Sequence, residues 1–323
     1  MEHNCITRSF YSLGTMNYIK ICNCDDEAIM GQAITRVLAI DDLMSAYKGG
    51  SDVSRINSNS GKGFINIHPD TMKVLSRSLD FSRISYGAFD ITIRPLVELW
   101  GIGKKSGFIP SDEEINKIRM LVNYKNVLLD QNNCRVSLEL PGQAIDLGGI
   151  AKGFAADEVK RILLENHIKS ALINLGGNII TIGNRPDGIP WQIGIQNPVK
   201  ATGTHIGILN SSCKTIVTSG SNERFFVKDG VRYHHILDPH TGKPANTKFL
   251  SVTAVSGCSM DADALTTAVF ILGKDFAYEN EGGYTGKRWL NLAKKLDAEV
   301  IIISSDAEII ITDGLKDNFK VRS

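Results

Sequence analysis

The stretch that decides the fold runs from Ala144 to Asp157 and reads AIDLGGIAKGFAAD. Its apolar lead-in ends at Asp146, a Gly-Gly pair follows, and the chain then enters a predicted helix that carries Lys152 near its start. Adjacent glycines allow backbone dihedrals that a Cβ forbids, and they let a ligand approach the chain closely. The first N–H groups of a helix lack internal partners and favour a bound anion. The pattern is therefore typical of a phosphate or pyrophosphate site, and also of a strand–turn–helix joint that binds nothing.

Composition and charge exclude several classes of protein. The chain has 323 residues, of which 42% are hydrophobic and 22% charged, as is ordinary for a globular protein of one large or two smaller domains. The formal net charge is +1 and no cluster of Lys and Arg stands out, so we expect neither a nucleic-acid partner nor an anionic membrane surface. The longest apolar runs, such as 300–303, are too short to be a transmembrane segment.

The N-terminus and the cysteines predict the compartment. Residues 1–15, MEHNCITRSFYSLGT, lack the basic start and the apolar core of a secretory signal. The six cysteines, at positions 5, 22, 24, 134, 213 and 258, are scattered through a chain that is large enough to fold without disulfides. The pair at 22 and 24 is a weak metal motif because no second pair accompanies it, so we expect free thiols. Together these features predict a reducing, cytoplasmic location.

Hydrophobic periodicity and turn signals predict the order of the elements. The predicted helices are 25–47, 69–86, one from 111 onward, 150–166, 260–272 and one from 287 onward. The predicted strands are a pair over 10–22, then 171–175, 179–183, 191–196, 205–209, 214–218, 224–228, 232–237, 250–255 and a final hairpin that ends at 311. Because strands and helices come in blocks and the strands alternate in polarity, we predict an α+β fold with a mainly antiparallel sheet and flanking helices.

Asp263 and Thr267 form a candidate cation site. They are four residues apart in a predicted helix and so lie on one face of it. A carboxylate and a hydroxyl, joined by a nearby backbone carbonyl, make a hard oxygen site that suits Mg²⁺, an ion that takes few protein ligands. The alternative is that Asp261 is only the N-cap of this helix and that Thr267 is a buried hydroxyl.

His235 is the candidate proton acceptor. It lies in the segment HHILDPHTG at 234–242, and imidazole is the side chain best suited to accepting a proton near neutral pH. A lone histidine is also common as a packing or turn residue. The pair Asp238-Pro239 can likewise be a turn device, so both interpretations remain open from the residues alone.

Eight blocks of sequence, taken in order, are far more specific than any one of them. The blocks are LGT (13–15), SAYKGGSDVSRIN (45–57), GAFDITIRPLVELWG (87–101), IDLGGIAKGFAAD (145–157), INLGG (173–177), TSGS (218–221), HHILDPHTG (234–242) and DADALTTAVFILG (261–273). Their order and spacing resemble the FAD:protein FMN transferases, also called the ApbE family, over about 10–315. The resemblance implies a single ApbE-like, T-fold-like domain over 1–323, which leaves room for two closely packed lobes.

The resemblance also implies a reaction and a set of site residues. The FMN half of FAD is transferred to a threonine hydroxyl of an acceptor protein that carries a threonine-containing flavinylation motif, a phosphoester bond forms, and AMP is released. The expected contacts to FAD are Leu13, Tyr47, Ala88, Phe89, Asp90, Asp146, Lys152 and Leu237. The expected Mg²⁺ ligands are the backbone carbonyl of Gly149 and the side chains of Asp263 and Thr267. The expected base is His235, assisted by Asp238.

Two positions depart from the family pattern. The first block usually begins with Met, and this chain has Leu13, so the packing on a ring of FAD is expected to differ while the chemistry survives. Some members carry an acid where this chain has Thr266, which puts a metal-ligand role for that position in doubt.

Three other functions are weighed against transfer. The first is an FAD pyrophosphatase, in which water replaces the threonine and the products are FMN and AMP. The second is a module that binds FAD without cleaving it, which predicts loss of the base or of the cation ligands, yet His235, Asp263 and Thr267 are all present. The third, an iron–sulfur scaffold on Cys22 and Cys24, lacks enough paired ligands. The sequence therefore favours transfer, to an acceptor expected in the cytoplasm.

Overall fold

A computed structural model gives the architecture of the chain. The residues that it describes are 4–24, 26–103, 107–201, 203–273, 288–306 and 308–322. Their helices are α1 (Glu27–Met44), α2 (Asp52–Ser58), α3 (Pro69–Ile84), α4 (Arg94–Trp100), α5 (Asp112–Arg119), α6 (Ala151–Glu165), α7 (Ser259–Leu272) and α8 (Arg288–Lys295). Their strands are β1 (Cys5–Ser12), β2 (Thr15–Cys22), β3 (Ile65–Asn66), β4 (Val127–Asp130), β5 (Arg135–Leu138), β6 (Ala171–Leu175), β7 (Asn178–Ile182), β8 (Trp191–Gln196), β9 (His205–Ser211), β10 (Thr215–Gly220), β11 (Phe225–Lys228), β12 (Val231–His234), β13 (Phe249–Ser256), β14 (Glu299–Ser304), β15 (Ile309–Ile311) and β16 (Phe319–Val321).

A central antiparallel sheet organises the fold. Its strand order is β1-β2-β6-β7-β10-β13-β14-β15, and every pair of neighbours in it is antiparallel. Helices α1, α6 and α7 share one large hydrophobic core with one face of this sheet. The small sheet β16-β9-β8 shares a second core with the other face. The α+β fold with a mainly antiparallel sheet and flanking helices is therefore confirmed, while the single domain stays a prediction.

Neighbouring residues of one strand supply both cores. In β14, Val300 and Ile302 belong to the core on the helical side, whereas Ile301 belongs to the core that also contains Trp191 and Phe319. Successive side chains of a strand point to opposite faces of its sheet, so a sheet covered on both faces needs apolar residues at every position. This requirement explains why β14 reads as an unbroken apolar run.

The hairpin of β1 and β2 joins two cysteines for which free thiols were expected. Leu13 and Gly14 form its two-residue turn with φ angles of 54° and 72°, the positive values that the favoured tight hairpin turn requires. The resulting register sets Cys5 opposite Cys22 with 4.0 Å between their Cα atoms, and a disulfide links them. The expectation is wrong for this pair, because the pairing depends on hairpin register rather than on a cysteine motif. Disulfides are more typical of oxidising compartments than of the cytoplasm.

Helix α6 positions the start of α7. The two helices approach so closely that a Cβ built on Gly153 would lie 2.3 Å from the carbonyl oxygen of Ser259. The carboxylate of Asp157 accepts hydrogen bonds from the backbone N–H groups of Ser259 (2.9 Å) and Met260 (2.8 Å). The side chain of Cys258, the N-cap residue of α7, makes no capping hydrogen bond. The carboxylate of Asp157 in α6 therefore caps α7 and pairs its first backbone N–H groups.

The segment before the Gly-Gly turn is irregular and not a strand. The side chain of Asn57 in α2 replaces strand pairing there: its Oδ1 accepts from the N–H of Ile145 (2.7 Å), and its Nδ2 donates to the carbonyl of the same residue (3.0 Å). The longer predicted helices and the strands of the second half are confirmed, although their ends shift by a few residues. Positions 25 and 287, at the ends of two predicted helices, lie outside the described residues. Within the described ranges, no helix has both the length and the apolar character to cross a bilayer.

We predict that Gly153→Ala lowers the free energy of unfolding by about 1–3 kcal/mol, because the added Cβ overpacks the contact between α6 and α7. Gly31→Ala in α1 is the matched control. No neighbouring atom lies within 4 Å of a Cβ built on Gly31, so alanine should stabilise that helix by about 0.5–1 kcal/mol. Urea unfolding followed by circular dichroism measures both changes, and effects of the same sign would contradict the close contact at Gly153.

Candidate functional site

A cavity of about 750 Å³ opens beside the Gly-Gly turn. This volume lies in the range of small-molecule sites in proteins. The residues predicted from the sequence that line it are Leu13, Tyr47, Ala88, Phe89, Asp90, Asp146, Gly149, Lys152, His235, Leu237, Asp263 and Thr267. All the predicted site residues lie within the described part of the chain, and Asp238 is the one among them that does not line the cavity.

The Gly-Gly turn is closed by the two charged residues that flank it. The Oδ1 atom of Asp146 accepts a hydrogen bond from the N–H of Gly148 at 2.8 Å. The Nζ atom of Lys152 donates to the carbonyl of the same glycine at 3.0 Å. These bonds hold the ammonium group of Lys152 at the cavity wall in the first turn of α6, where the positive end of the helix dipole also favours an anion.

The first turn of α6 leaves one carbonyl oxygen free. In a regular helix the N–H of Gly153 would donate to the carbonyl of Gly149, four residues earlier. It donates instead to Oδ2 of Asp263, at 3.0 Å, because α7 packs directly against this turn. Among the described residues, no hydrogen bond reaches the carbonyl oxygen of Gly149 or the Oδ1 atom of Asp263.

Thr266 and Thr267, which follow Asp263 by about one turn of α7, have different environments. The hydroxyl of Thr266 donates to the carbonyl of Asp263 at 2.9 Å and lies 2.8 Å from the hydroxyl of Ser219, so it is fully engaged. The hydroxyl of Thr267 has no hydrogen-bond partner within the described ranges, and it lies 3.7 Å from a Cβ built on Gly149. Thr267 therefore faces the Gly-Gly turn, while Thr266 binds within the protein.

These oxygens fit a small divalent cation. A backbone carbonyl, a carboxylate and a hydroxyl, each with a free lone pair, are hard donors of the kind that Mg²⁺ takes. Burial raises the pKa of Asp263, while the charge of Lys152 and the N–H of Gly153 lower it. A cation bound beside the carboxylate would also lower this pKa and so favour the ionised form. The described part of the chain has no group of three or more His, Cys, Asp and Glu side chains that could hold a metal, and the set here is instead mixed.

His235 is held as a neutral imidazole. Its Nδ1 lies 3.3 Å from the carbonyl oxygen of Arg224, and since a carbonyl only accepts, this nitrogen carries the proton. Nε2 is then left with a lone pair. Burial lowers the pKa of His235 to about 4, although the bond to Arg224 opposes the shift, so the ring stays neutral at neutral pH.

Two of the predicted carboxylates shape loops. Asp90 accepts hydrogen bonds at Oδ1 from the N–H (2.8 Å) and hydroxyl (2.6 Å) of Thr92 and at Oδ2 from the N–H of Tyr124 (3.0 Å). Asp238 accepts from the backbone N–H of His240 at 2.9 Å and lies 3.2 Å from its ring Nδ1. These contacts hold the turn at 238–240, and the role of Asp238 beside His235 stays a prediction.

Comparison with known proteins identifies the family. Residues 13–281 match the ApbE family. The chain belongs to the ApbE family. It is 33% identical over 287 residues to a FAD:protein FMN transferase of Klebsiella pneumoniae (strain 342), a match that covers 89% of this chain and 85% of the relative. The resemblance carried by the eight blocks is thereby confirmed, and this chain is an enzyme of that family.

Solved structures of ApbE proteins have the same fold. The crystal structure of the ApbE protein of Thermotoga maritima is similar with a TM-score of 0.84 and 31% identity, over 99% of this chain and 100% of that one. The flavin transferase ApbE of Vibrio cholerae is similar with a TM-score of 0.83 and 27% identity, over 98% of this chain and 99% of that one. The ApbE-like architecture is therefore confirmed.

Glu223 and Arg94 are among the charged residues near the cavity that the sequence analysis of this ApbE protein did not predict. Glu223 lines the cavity, and burial and the charge of Asp263 raise its pKa while Lys152 and Arg224 lower it. Arg94 lies behind the lining and donates from Nη1 to Oδ2 of Asp146 at 3.1 Å. Glu223 follows the block at 218–221 by two residues and Arg94 is inside the block at 87–101, so the sequence offered each only as a lone charge beside a motif.

We predict that His235 makes stability depend on pH. The unfolded chain protonates this residue near pH 6.5 and the folded protein only near pH 4, so between these values the unfolded state binds more protons. The free energy of unfolding of the wild type should therefore fall relative to His235→Gln as the pH drops through this window. Urea unfolding at several pH values between about 4 and about 7.5 measures this difference. A difference that does not change with pH would contradict the lowered pKa and the neutral imidazole.

Proposed function

We propose that this ApbE-family enzyme transfers the FMN half of FAD to a threonine hydroxyl of an acceptor protein and releases AMP, with Mg²⁺ held by Gly149, Asp263 and Thr267. The observation that carries the proposal is the convergence of three groups in one cavity. A lysine at a helix start, three oxygens with free lone pairs and a neutral histidine all line it. These are the groups that displacement at a pyrophosphate needs.

Binding of FAD is supported by both charge and shape. The pyrophosphate is expected at the start of α6, where Lys152 and the positive end of the helix dipole favour negative charge. The apolar and aromatic side chains of Leu13, Tyr47, Phe89 and Leu237 line the same cavity and can pack on the rings. The protein thus holds the reacting phosphorus in place, which in phosphoryl transfer accounts for most of the catalysis.

The oxygens of Gly149, Asp263 and Thr267 would hold the cation. Bound there, Mg²⁺ would supply Lewis-acid stabilisation of the negative charge on the pyrophosphate oxygens. The contribution of the chain is to keep these three oxygens free of internal hydrogen bonds and next to Lys152.

His235 is proposed as the base. Its Nε2 lone pair would accept the proton of the threonine hydroxyl as the threonine oxygen forms a bond to the FMN phosphorus. The bond between that phosphorus and the bridging oxygen breaks, and AMP leaves with the electron pair. Because burial keeps the imidazole unprotonated, the base is available at neutral pH without prior loss of a proton.

Hydrolysis of FAD to FMN and AMP is the second candidate. The observation that favours it is the exposure of Tyr11 and Tyr47, which line the cavity and yet are 67% and 61% exposed, so water has access to the site. Water would then take the place of the threonine hydroxyl, and the same residues would serve.

The acceptor and the compartment belong to the same proposal. The acceptor is a protein, as the name of the Klebsiella pneumoniae relative, FAD:protein FMN transferase, suggests. The threonine-containing flavinylation motif of that acceptor is part of the proposal and comes from the family resemblance of the sequence. The cytoplasmic location expected from the N-terminus stays a prediction, and the disulfide between Cys5 and Cys22 argues against it.

The test of the proposal is an assay of the purified protein with FAD and Mg²⁺, with and without a protein domain that carries the acceptor motif. Mass spectrometry should detect addition of FMN to a threonine, and the amount of AMP released should match it. Free FMN and AMP with no modified acceptor would support the hydrolase instead. FAD that remains intact in both samples would contradict both candidates.

We predict that Asp263→Asn lowers the rate of FMN transfer by about 100-fold or more, because the cation that the carboxylate holds supplies several kcal/mol of charge stabilisation. Asparagine keeps an oxygen for the N–H of Gly153, so the fold should survive. The matched control is Asp261→Asn on the same helix, which removes a pair with Arg77 outside the cavity and should leave the rate within about twofold. Equal rates of the two variants in excess Mg²⁺ would refute the cation site.

We predict that His235→Ala binds FAD as the wild type does but transfers FMN about 10²- to 10⁴-fold more slowly, the usual contribution of a positioned general base. His205→Ala, on β9 and outside the cavity lining, is the control and should be fully active. Binding by titration calorimetry and rates by AMP release separate the two effects. A fully active His235→Ala would rule out the base.

A further inference from the structure

The guanidinium of Arg94 links its own helix, α4, to two loops behind the wall of the cavity. Arg94 is the first residue of α4 and is 7% exposed, and it does not itself line the cavity. Its Nε donates to Oε1 of Glu98 at 2.7 Å, and its Nη1 donates to Oδ2 of Asp146 at 3.1 Å. Its Cζ lies 4.3 Å from the centre of the Tyr47 ring.

The three contacts use different parts of the same planar group. The hydrogen bonds lie along the edges of a guanidinium, and a stacked ring lies over its face, so arginine can make both kinds of contact at once. Lysine has a compact charge without this plane, and it could keep one ion pair but not the stack. The arrangement therefore depends on arginine in particular, and not only on positive charge.

Both cavity-side partners of Arg94 belong to segments without regular structure. Tyr47 lies in the loop between α1 and α2 and is 61% exposed, and the guanidinium of Arg94 packs on its ring. Asp146 lies in the irregular segment before the Gly-Gly turn, and its other oxygen holds the N–H of Gly148. A single buried group thus contacts both the ring and the carboxylate that border the cavity.

The charge of Arg94 also compensates a carboxylate at an anion site. Asp146 alone would repel a phosphate at the start of α6, whereas the ion pair with Arg94 offsets its negative charge. Burial lowers the pKa of Arg94, but the carboxylates of Glu98 and Asp146 together raise it above its usual value, so the arginine stays charged.

We propose that Arg94 is a positioning residue for FAD, which sets the ring of Tyr47 and the carboxylate of Asp146 for binding and makes the turn compatible with a pyrophosphate. The inference rests on the proposed function, since it takes FAD as the ligand. Arg94 acts through its two partners and does not touch the reacting atoms.

The test compares Arg94→Lys with a matched arginine elsewhere. Arg36 in α1 lies 2.7 Å from Asp70 and 2.8 Å from Glu158, and its Cζ lies 5.9 Å from the Phe154 ring, outside the cavity lining. FAD binding is measured by calorimetry with EDTA present, so that no turnover occurs. Arg94→Lys should raise the Kd for FAD about tenfold while kcat at saturating FAD changes less than about threefold. Both variants should lower the Tm by similar amounts. Arg36→Lys should nevertheless leave the Kd for FAD unchanged.

A double-mutant cycle separates positioning from general destabilisation. If Arg94 acts through Tyr47, Arg94→Lys should raise the Kd much less in a Tyr47→Leu background than in the wild type. Glu98→Gln provides a second variant if Arg94→Lys folds poorly. It loosens the guanidinium from its solvent side, where Glu98 is 61% exposed, and should raise the Kd about twofold.

A wild-type Kd for Arg94→Lys, an equal rise for Arg36→Lys, or additive effects in the cycle would overturn the inference. Because binding is measured apart from turnover, a wild type that binds FAD and releases no AMP would contradict the proposed function alone. A wild type that binds no FAD would overturn both.

Discussion

The hydrogen bond from the N–H of Gly153 to the carboxylate of Asp263 is the contact on which the site depends. It forms because α6 and α7 approach more closely than any side chain at position 153 would allow. By taking this donor out of the helix, it leaves the carbonyl oxygen of Gly149 free, and it also fixes the orientation of Asp263. One interhelical bond therefore prepares two of the three oxygens that would hold a cation.

Charge compensation determines the character of the cavity. Burial raises the pKa of Asp263, and Lys152 opposes that shift from the first turn of α6. Arg94 neutralises Asp146 at the other end of the Gly-Gly turn, so the turn can accept an anion even though it begins with an acid. His235 contributes no charge at neutral pH because partial burial lowers its pKa to about 4. The cavity thus combines paired charges with a neutral base, which suits the binding of a dinucleotide and the removal of one proton.

Local sequence signals predicted most helices and strands. The features that they did not predict depend on contacts between residues that are distant in the sequence. The capping box of Ser111 and Glu114 begins α5 in the structure, where the sequence predicts a helix from position 111 onward. The sequence did not predict the disulfide because the disulfide depends on the register of a hairpin. It did not predict the irregular segment before the Gly-Gly turn because the side chain of Asn57 replaces strand pairing there. The cavity-lining residues came from the family blocks, whereas Arg94 acts through contacts with two distant loops that no local pattern reveals.

The most direct measurement is an anomalous difference map from crystals of the protein soaked with Mn²⁺ and ADP, in which Mn²⁺ takes the place of Mg²⁺. The account predicts one strong peak bounded by the carbonyl oxygen of Gly149, the carboxylate of Asp263 and the hydroxyl of Thr267, and no peak there in crystals of Asp263→Asn. A peak elsewhere in the cavity, with these three oxygens still unoccupied, would contradict the account.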